Sequence, residues 1–423
     1  MFKTFKQLFS ARNKDIRKKI LFTLLILFIY KVGTAVRVPG TEDITQDLGF
    51  LELLNVMSGG SLRNFSIFAL GVTPYISASI IVQLLQMDII PYFSNLAKEG
   101  HTGRVKLNKI TRYLGIVLAF LQGLMMSYSF LGANASTFNY ITVTVILTAG
   151  TCFLLWLGDQ ITRKGVGNGI SLLIMAGILI STPSMMTDAY GAFVTGGTTQ
   201  EIAFGVTKFV LFILLYIAII VGVVFIEKSE RRVPIQYSNR TSTAYGAKQT
   251  YIPFRLNSAG VMPVIFASSL ISVPSLIASL LKKESFSLFV SKYIDYTTVT
   301  GFILYVLLII LFSYLYTFMA TGLKPKELSE NLNKQGGYVP GIRPGTETKN
   351  YISKVLSRVT FLGAIFLVII AGLPVLVAMF SDLPTTVKVG GTGLLIVVGV
   401  ALETYNQIES SLEARRYERG YKR

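Results

Sequence analysis

The chain has 423 residues, 52% of them hydrophobic and only 15% charged, with a net charge of +18 and a mean hydropathy of +0.57. Soluble globular chains carry about 25% charged residues, so this composition points to a lipid environment. A single cysteine, Cys152, and a single histidine, His101, leave no material for a disulfide framework, a Cys-rich metal site or a His cluster, and so exclude metalloenzyme and thiol chemistry.

A bilayer core of about 30 Å needs about 20 mostly apolar residues in helical form. Taken in chain order, such runs fall at 20–38, 67–85, 113–131, 140–157, 169–181, 204–226, 261–281, 302–323, 359–379 and 389–405. They are continuous rather than alternating, which predicts helices and not a barrel. Ahead of the first run, Phe2, Phe5 and Phe9 recur among Lys3, Lys6 and Arg12, the pattern of an amphipathic helix on an anionic membrane surface. The first run itself is long, contains Lys31 and lacks a small-residue cleavage site, so it reads as a retained span rather than a removable signal. Residues 50–57 (FLELLNVM) are apolar, too short to cross, and followed by Ser58-Gly59-Gly60-Ser61. Such a segment is either re-entrant or surface-lying.

Charge orients the spans. The amino tail, the loops after the second, fourth, sixth and eighth runs, and the carboxyl tail hold all but eight of the 40 Lys and Arg residues; the others are Lys31, Arg37, Arg63, Lys208, Lys282, Lys283, Lys292 and Lys388. The positive-inside rule then puts both termini in the cytoplasm. Two of the loops, 227–256 and 324–357, are much longer than a connection requires. Val233, Ile235 and Tyr237 alternate with polar residues as in a strand. Ordered basic loops suggest a docking surface for an acidic partner.

Ion-coupled transporters place carboxylates or charged relays inside the membrane. Here the only charge well inside a run is Lys31, with Lys208 and Glu403 near ends. Pro74, Pro263, Pro274, Gly390, Gly391 and Gly393 instead predict broken helices lining a cavity. A cavity without charged groups suits a conduit for varied cargo better than a selective pump. The glycine-rich 165–169 (GVGNG) lacks the Lys-Ser/Thr of a phosphate loop and the preceding strand of a dinucleotide fold, and reads as a tight turn that lets the fifth span start abruptly. There is no nucleophile–base constellation, so the chain is expected not to be an enzyme and to need no cofactor.

Five segments are specific: 68–85 (FALGVTPYISASIIVQLL), 156–171 (WLGDQITRKGVGNGIS), 257–269 (NSAGVMPVIFASS), 338–345 (YVPGIRPG) and 390–396 (GGTGLLI). Together, in this order, they resemble the bacterial SecY family, and the likeness extends from about residue 19 to the end. The resemblance implies an all-α polytopic membrane protein of ten transmembrane helices in two five-helix halves related by an inverted pseudo-repeat. It divides the chain into a segment at 1–19, a first half at 20–181, a connector at 182–203, a second half at 204–405 and a basic tail at 406–423. It also implies a channel for unfolded polypeptides with a lateral opening to lipid. The implied partners are SecE and SecG in the membrane, the SecA motor, the ribosome, signal peptides and secretory precursors, with no nucleic-acid binding beyond ribosome docking.

Carried over position by position, the resemblance puts a pore ring at Val72, Ile76, Ile170, Ile174, Ile265 and Ile396. The i, i+4 pairs Val72/Ile76 and Ile170/Ile174 each share a helix face, and a ring of branched aliphatic side chains forms a collar that dewets. A plug falls at about 50–66, with Ser58, Gly59, Gly60, Ser61, Leu62 and Phe65. Ser77, Gln83, Ser269 and Val273 match gate-lining positions between the second and third spans on one side and the seventh and eighth on the other. Arg343, stiffened by Pro340 and Pro344, joins Arg240, Lys248 and Arg255 as contacts for SecA or the ribosome. The rival reading is an inverted-repeat secondary transporter or flippase, which demands an intramembrane charge or a specific polar substrate site.

Overall fold

The computed structural model describes residues 14–41, 52–86, 90–131, 136–194, 199–237, 250–281, 284–295, 298–319, 324–380 and 385–420. The expected amphipathic segment at 2–12, and Arg240 and Lys248, lie outside them. The chain is almost wholly helical: α1 (Lys14–Ala35), α2 (Glu52–Met57), α3 (Thr73–Leu85), α4 (Pro91–Lys98), α5 (His101–Leu131), α6 (Thr137–Lys164), α7 (Gly169–Phe193), α8 (Thr199–Glu227), α9 (Met262–Leu281), α10 (Glu284–Tyr293), α11 (Val299–Met319), α12 (Pro325–Lys334), α13 (Thr346–Phe380) and α14 (Thr385–Gly420). Six of these, α5–α8, α11 and α13, are long and apolar enough to cross a membrane, and α3 and the start of α9 are shorter apolar helices. With α1 and α14 they occupy the ten places expected from hydropathy.

Three expectations are corrected. The second span does not run as helix from residue 67: residues 67–72 are turns and α3 starts only at Thr73. The reason lies in the backbone, since Ile67 N–H donates to Val36 O and Val38 N–H to Phe65 O, an extended tie to the chain leaving α1, and Pro74 opens the helix. The fifth span does not end near Ser181 but continues through Pro183 to Phe193. Pro183 removes one helical N–H, yet in a membrane no water competes for the neighbouring carbonyls, and the hydroxyls of Ser181, Thr182 and Ser184 bond back to their own helix. For the same reason the helices are not broken at Pro274 or at Gly390, Gly391 and Gly393: α9 and α14 run continuously through them. Pro74 and Pro263 stand in the first turns of α3 and α9, where a proline's missing N–H has no partner to lose.

The glycine-rich turn acts as expected. Gly165–Gly167 bend, Asn168 caps α7 by accepting from Ile170 N–H, and Thr162 Oγ1 accepts from Gly169 N–H at 2.9 Å. Thr23 of α1 accepts from Val166 N–H at 3.1 Å, pinning the turn to the first helix.

Helices α3, α5, α6 and α7 pack in succession and α1 leans on α6 and α7; α9, α11, α13 and α14 form a second group, with α8 against α14 and α7. One large apolar cluster threads both groups, drawing on α1, α2, α3, α6, α7, α8, α9, α11, α13 and α14. The outward faces stay apolar: Leu211, Leu214, Val221 and Phe225 on α8, and Val299, Ile303, Leu307 and Leu311 on α11 are exposed, as lipid-facing side chains must be.

The two long loops fold together. β1 (Glu230–Tyr237) pairs antiparallel with β2 (Thr250–Arg255), Val233 opposite Ile252, and its far end pairs with β3 (Gly337–Tyr338) from the second loop. Val233 and Ile235 turn inward, joining Phe254, Leu332, Val339, Ile352 and Leu356 in a separate small core. The alternation read in the sequence is thus a real strand, but its union with the other loop has no local signal.

Candidate functional site

Val72, Ile76, Ile174, Ile265 and Ile396 are each at most 6% exposed and belong to the central cluster; Ile170 packs against it while half-buried, with a face on Gly158 of α6. Four helices of both groups therefore contribute: α3, α7, α9 and α14. Val72 precedes α3, but Ile76 N–H still donates to Val72 O at 3.1 Å, so the pair keeps its i, i+4 relation. Every side chain in the set is aliphatic. Such a layer offers no hydrogen bond to water or to any one cargo group.

Polar groups collect on one side of this layer. A cavity of about 270 Å³ is lined by Asn168, Ser171, Glu227, Arg255, Asn257, Tyr316, Glu403 and Asn406 among others. Its residues precede the collar at Asn168 and at the start of α9 and follow it in α14, and it takes in Arg255 of β2, which places it toward the sheet. Asn257 Nδ2 donates to Glu227 Oε1 at 2.7 Å and to Gly260 O at 3.0 Å, fixing the entry to α9. This wall is the part of the site that sequence reasoning missed. Glu227 and Asn257 stand 30 positions apart at opposite ends of a loop, and only their convergence gives them meaning.

The opposite side is covered by α2. Val56 and Met57 join the central cluster, and α2 packs on α7 and α14. The approach is close: a side chain at Gly177 of α7 would collide with Met57 O, and its backbone stands against Gly59. Gly59 and Gly60 have φ of +74° and +77°, the left-handed region that glycine tolerates freely. Beyond them the chain changes partners. Ser61 Oγ donates to Phe68 O at 2.9 Å, and Leu62 and Phe65 enter a second cluster with Val38, Met126, Phe130 and Leu147. Of the six residues assigned to the plug, Ser58 and Gly59 thus stand against Gly71 and Gly177, Gly60 carries the turn, Ser61 is tied to Phe68 O, and Leu62 and Phe65 pack with residues of α5 and α6.

The seam between the groups is closed by α9, which touches α3 and α5. Ser269 is buried with its Oγ lacking a partner among the described residues. Gln83 Nε2 donates to Ser79 Oγ at 3.0 Å; Ser77 and Val273 are half-buried. A void of about 10 Å³ lies between Ile80, Gln83 and Leu84 of α3 and Phe266, Phe312, Leu315 and Tyr316 of α9 and α11. That is about the least that admits one water, so the seam is thinly packed where it meets the gate positions.

On the sheet, Arg343 is exposed in the loop between β3 and α13, its carbonyl accepting from Thr348 Oγ1 at 2.8 Å. Arg255 is exposed at the end of β2, opposite Glu230. Glu230 also accepts from Arg232 Nε at 2.7 Å, and this hydrogen bond is the main cause raising the Arg232 pKa. The Arg232 guanidinium therefore keeps its charge across the ordinary pH range.

Known proteins converge on the same architecture. A sequence model of the SecY family matches residues 66–405. The protein translocase subunit SecY of Halalkalibacterium halodurans is 46% identical over 99% of both chains, and that of Bacillus subtilis 44% identical over 100% of this chain and 99% of its own. Among solved structures, a protein conducting channel superposes with a TM-score of 0.66 at 18% identity, covering 93% of this chain and 92% of the other. Sec61 from a canine ribosome-channel complex of the endoplasmic reticulum gives 0.64 at 19% identity, with the same coverage. With an aliphatic layer shared by both helix groups, a polar cavity on one side and a docked short helix on the other, and relatives matching along nearly the whole length, the chain belongs to the SecY family.

Proposed function

We propose that this chain is the central channel-forming subunit of a Sec translocon, conducting unfolded polypeptides across the membrane and releasing hydrophobic segments sideways into lipid. The observation that carries the reading is the aliphatic layer between a polar cavity and a docked short helix. A conduit for chains of any sequence needs a constriction that seals by shape and dryness rather than by binding. The transporter reading would need a specific polar or charged binding group at this layer, and valine and isoleucine side chains hold it instead.

In this reading the collar is Val72, Ile76, Ile170, Ile174, Ile265 and Ile396, α2 with the turn to Phe65 is the plug, and the seam of α3 and α5 against α9 and α11 is the lateral gate. Ser77, Gln83, Ser269 and Val273 line it, and a signal peptide, itself an apolar helix, partitions there between pore and lipid. The ten helices form two inverted halves, with both termini and the three-stranded sheet in the cytoplasm of a bacterial cell and the chain in its plasma membrane. Arg343, Arg255, Arg240 and Lys248 serve as contacts for SecA or the ribosome, and SecE and SecG complete the membrane complex.

The test is reconstitution with SecE and SecA in liposomes, reading ATP-dependent protection of a signal-bearing precursor from external protease. Protection that requires ATP supports the reading. Its absence, with every partner shown to be bound, overturns it.

A further inference from the structure

We infer that two hydroxyls on different helices, Tyr30 of α1 and Ser181 of α7, latch α2 in its place over the collar. The inference rests on the conduit reading and adds what holds the resting state shut. α2 is six residues long, too short to satisfy its terminal carbonyls from within. The turn that follows it bonds locally: Gly59 N–H to Val56 O at 3.2 Å, Gly60 N–H and Ser58 Oγ to Asn55 O at 2.8 and 3.1 Å, and Arg63 N–H to Asn55 Oδ1 at 2.9 Å. The bonds from Ser58, Gly59 and Gly60 travel with the segment, the Arg63–Asn55 bond joins it to the stretch anchored by Leu62 and Phe65, and none of them attaches it to α1 or α7.

Tyr30 and Ser181 do attach it. Tyr30 Oη donates to Ser58 O at 3.1 Å, and Ser181 Oγ lies 3.2 Å from both Val56 O and Gly177 O. Tyr30 and Ser58 are each 2% exposed and Ser181 8%, so no bulk water competes for these carbonyls. Tyr30 is also held in place, its ring stacked on Phe68 at 6.0 Å. The two ties are unequal. When α2 departs, Ser181 keeps Gly177 O as an acceptor, whereas the Tyr30–Ser58 bond is lost outright. The left-handed Gly59-Gly60 pair lies between the latched carbonyls and the anchored Leu62 and Phe65. The segment is thus tied on both sides of a hinge, and the two hydroxyls are the ties to α1 and α7 that must let go, together with the Arg63–Asn55 bond across the hinge.

Removing the Tyr30 hydroxyl leaves Ser58 O dry in the docked state alone, since the displaced segment meets water, whereas removing the Ser181 hydroxyl leaves Val56 O with the Gly59 N–H and costs less. Tyr30→Phe should raise the undocked population about tenfold and Ser181→Ala about threefold, with the double variant near their product. The experiment uses the full chain purified with its membrane partners, in liposomes without precursor, and reads ion efflux. Ser313→Ala, which removes a buried hydroxyl bonded within α11, controls for general loosening, and deletion of residues 52–60 sets the fully uncovered limit. A second readout is the labelling rate of Met57→Cys by a water-soluble maleimide in a Cys152→Ala background. Efflux and labelling that rise in the stated order, with Ser313→Ala unchanged and Ser181→Thr retaining the seal, support the latch. Efflux raised by the deletion but by neither hydroxyl variant overturns the latch and leaves the conduit standing. No efflux even from the deletion overturns both.

Discussion

Ile174 is 3% exposed on α7 between Ser171, which lines the polar cavity, and Gly177, which meets Met57 and Gly59. At that level an amide in place of a methyl group gives water a partner inside a dry layer. Ile174→Asn is therefore expected to raise resting ion efflux from liposomes at least tenfold while leaving the helices intact by circular dichroism. Gly150 sits at a backbone crossing, where a Cβ would collide with Ile67 O. Ile67 is held by its own N–H bond to Val36 O and cannot step aside freely, so Gly150→Ala should destabilise the fold by about 1–3 kcal/mol, read as an earlier thermal unfolding transition in detergent. At this scale the sequence was readable only in part. Isoleucine at i, i+4 spacing describes a lipid face and a collar equally well, and the SecY-like segments alone separated the two. The Glu227–Asn257 bond had no such aid, because polar residues at the ends of a loop look like any other loop residues.

Among the elements, the apolar runs announced the long helices because lipid forces every backbone group into a helical bond. Hydropathy could not place their ends. α3 begins six residues late because backbone ties to the α1 exit compete for residues 66 and 67, and α7 outlasts its run because helix formation in lipid survives Pro183. The sheet unit was half legible: the β1 alternation stood out, while β3 has two residues and depends on its partner. Phe254 is fully buried in that unit's core, and Phe254→Ala should cost about 3–5 kcal/mol there. Limited proteolysis of the reconstituted protein is expected to cut rapidly within residues 230–256 and 325–356 in this variant, with the membrane helices still protected. Arg343→Glu alters only an exposed charge; it should leave the proteolysis pattern unchanged and abolish ATP-dependent precursor protection. Normal protection would remove Arg343 from the proposed motor contact.

Across the whole molecule, the two helix groups meet extensively through α7 and α14 and more sparingly where α9 rests on α3 and α5. That inequality fits a body that stays joined at one side and parts at the other. It also explains why the pore was invisible in any single helix: the layer exists only where α3, α7, α9 and α14 converge, and helical periodicity reports on one helix at a time. The central claim, that the cargo passes through this layer, has a direct test. A precursor carrying one cysteine is arrested in mid-translocation in channels with single cysteines at Ile76, Ile174, Ile265 or Ile396, or at the outward-facing Leu214 or Phe225, all in a Cys152→Ala background, and an added oxidant joins neighbouring thiols as disulfide adducts. The account predicts adducts at all four collar positions and none at Leu214 or Phe225. Adducts confined to the outward positions, or absent from the collar while the precursor is demonstrably held, would contradict it.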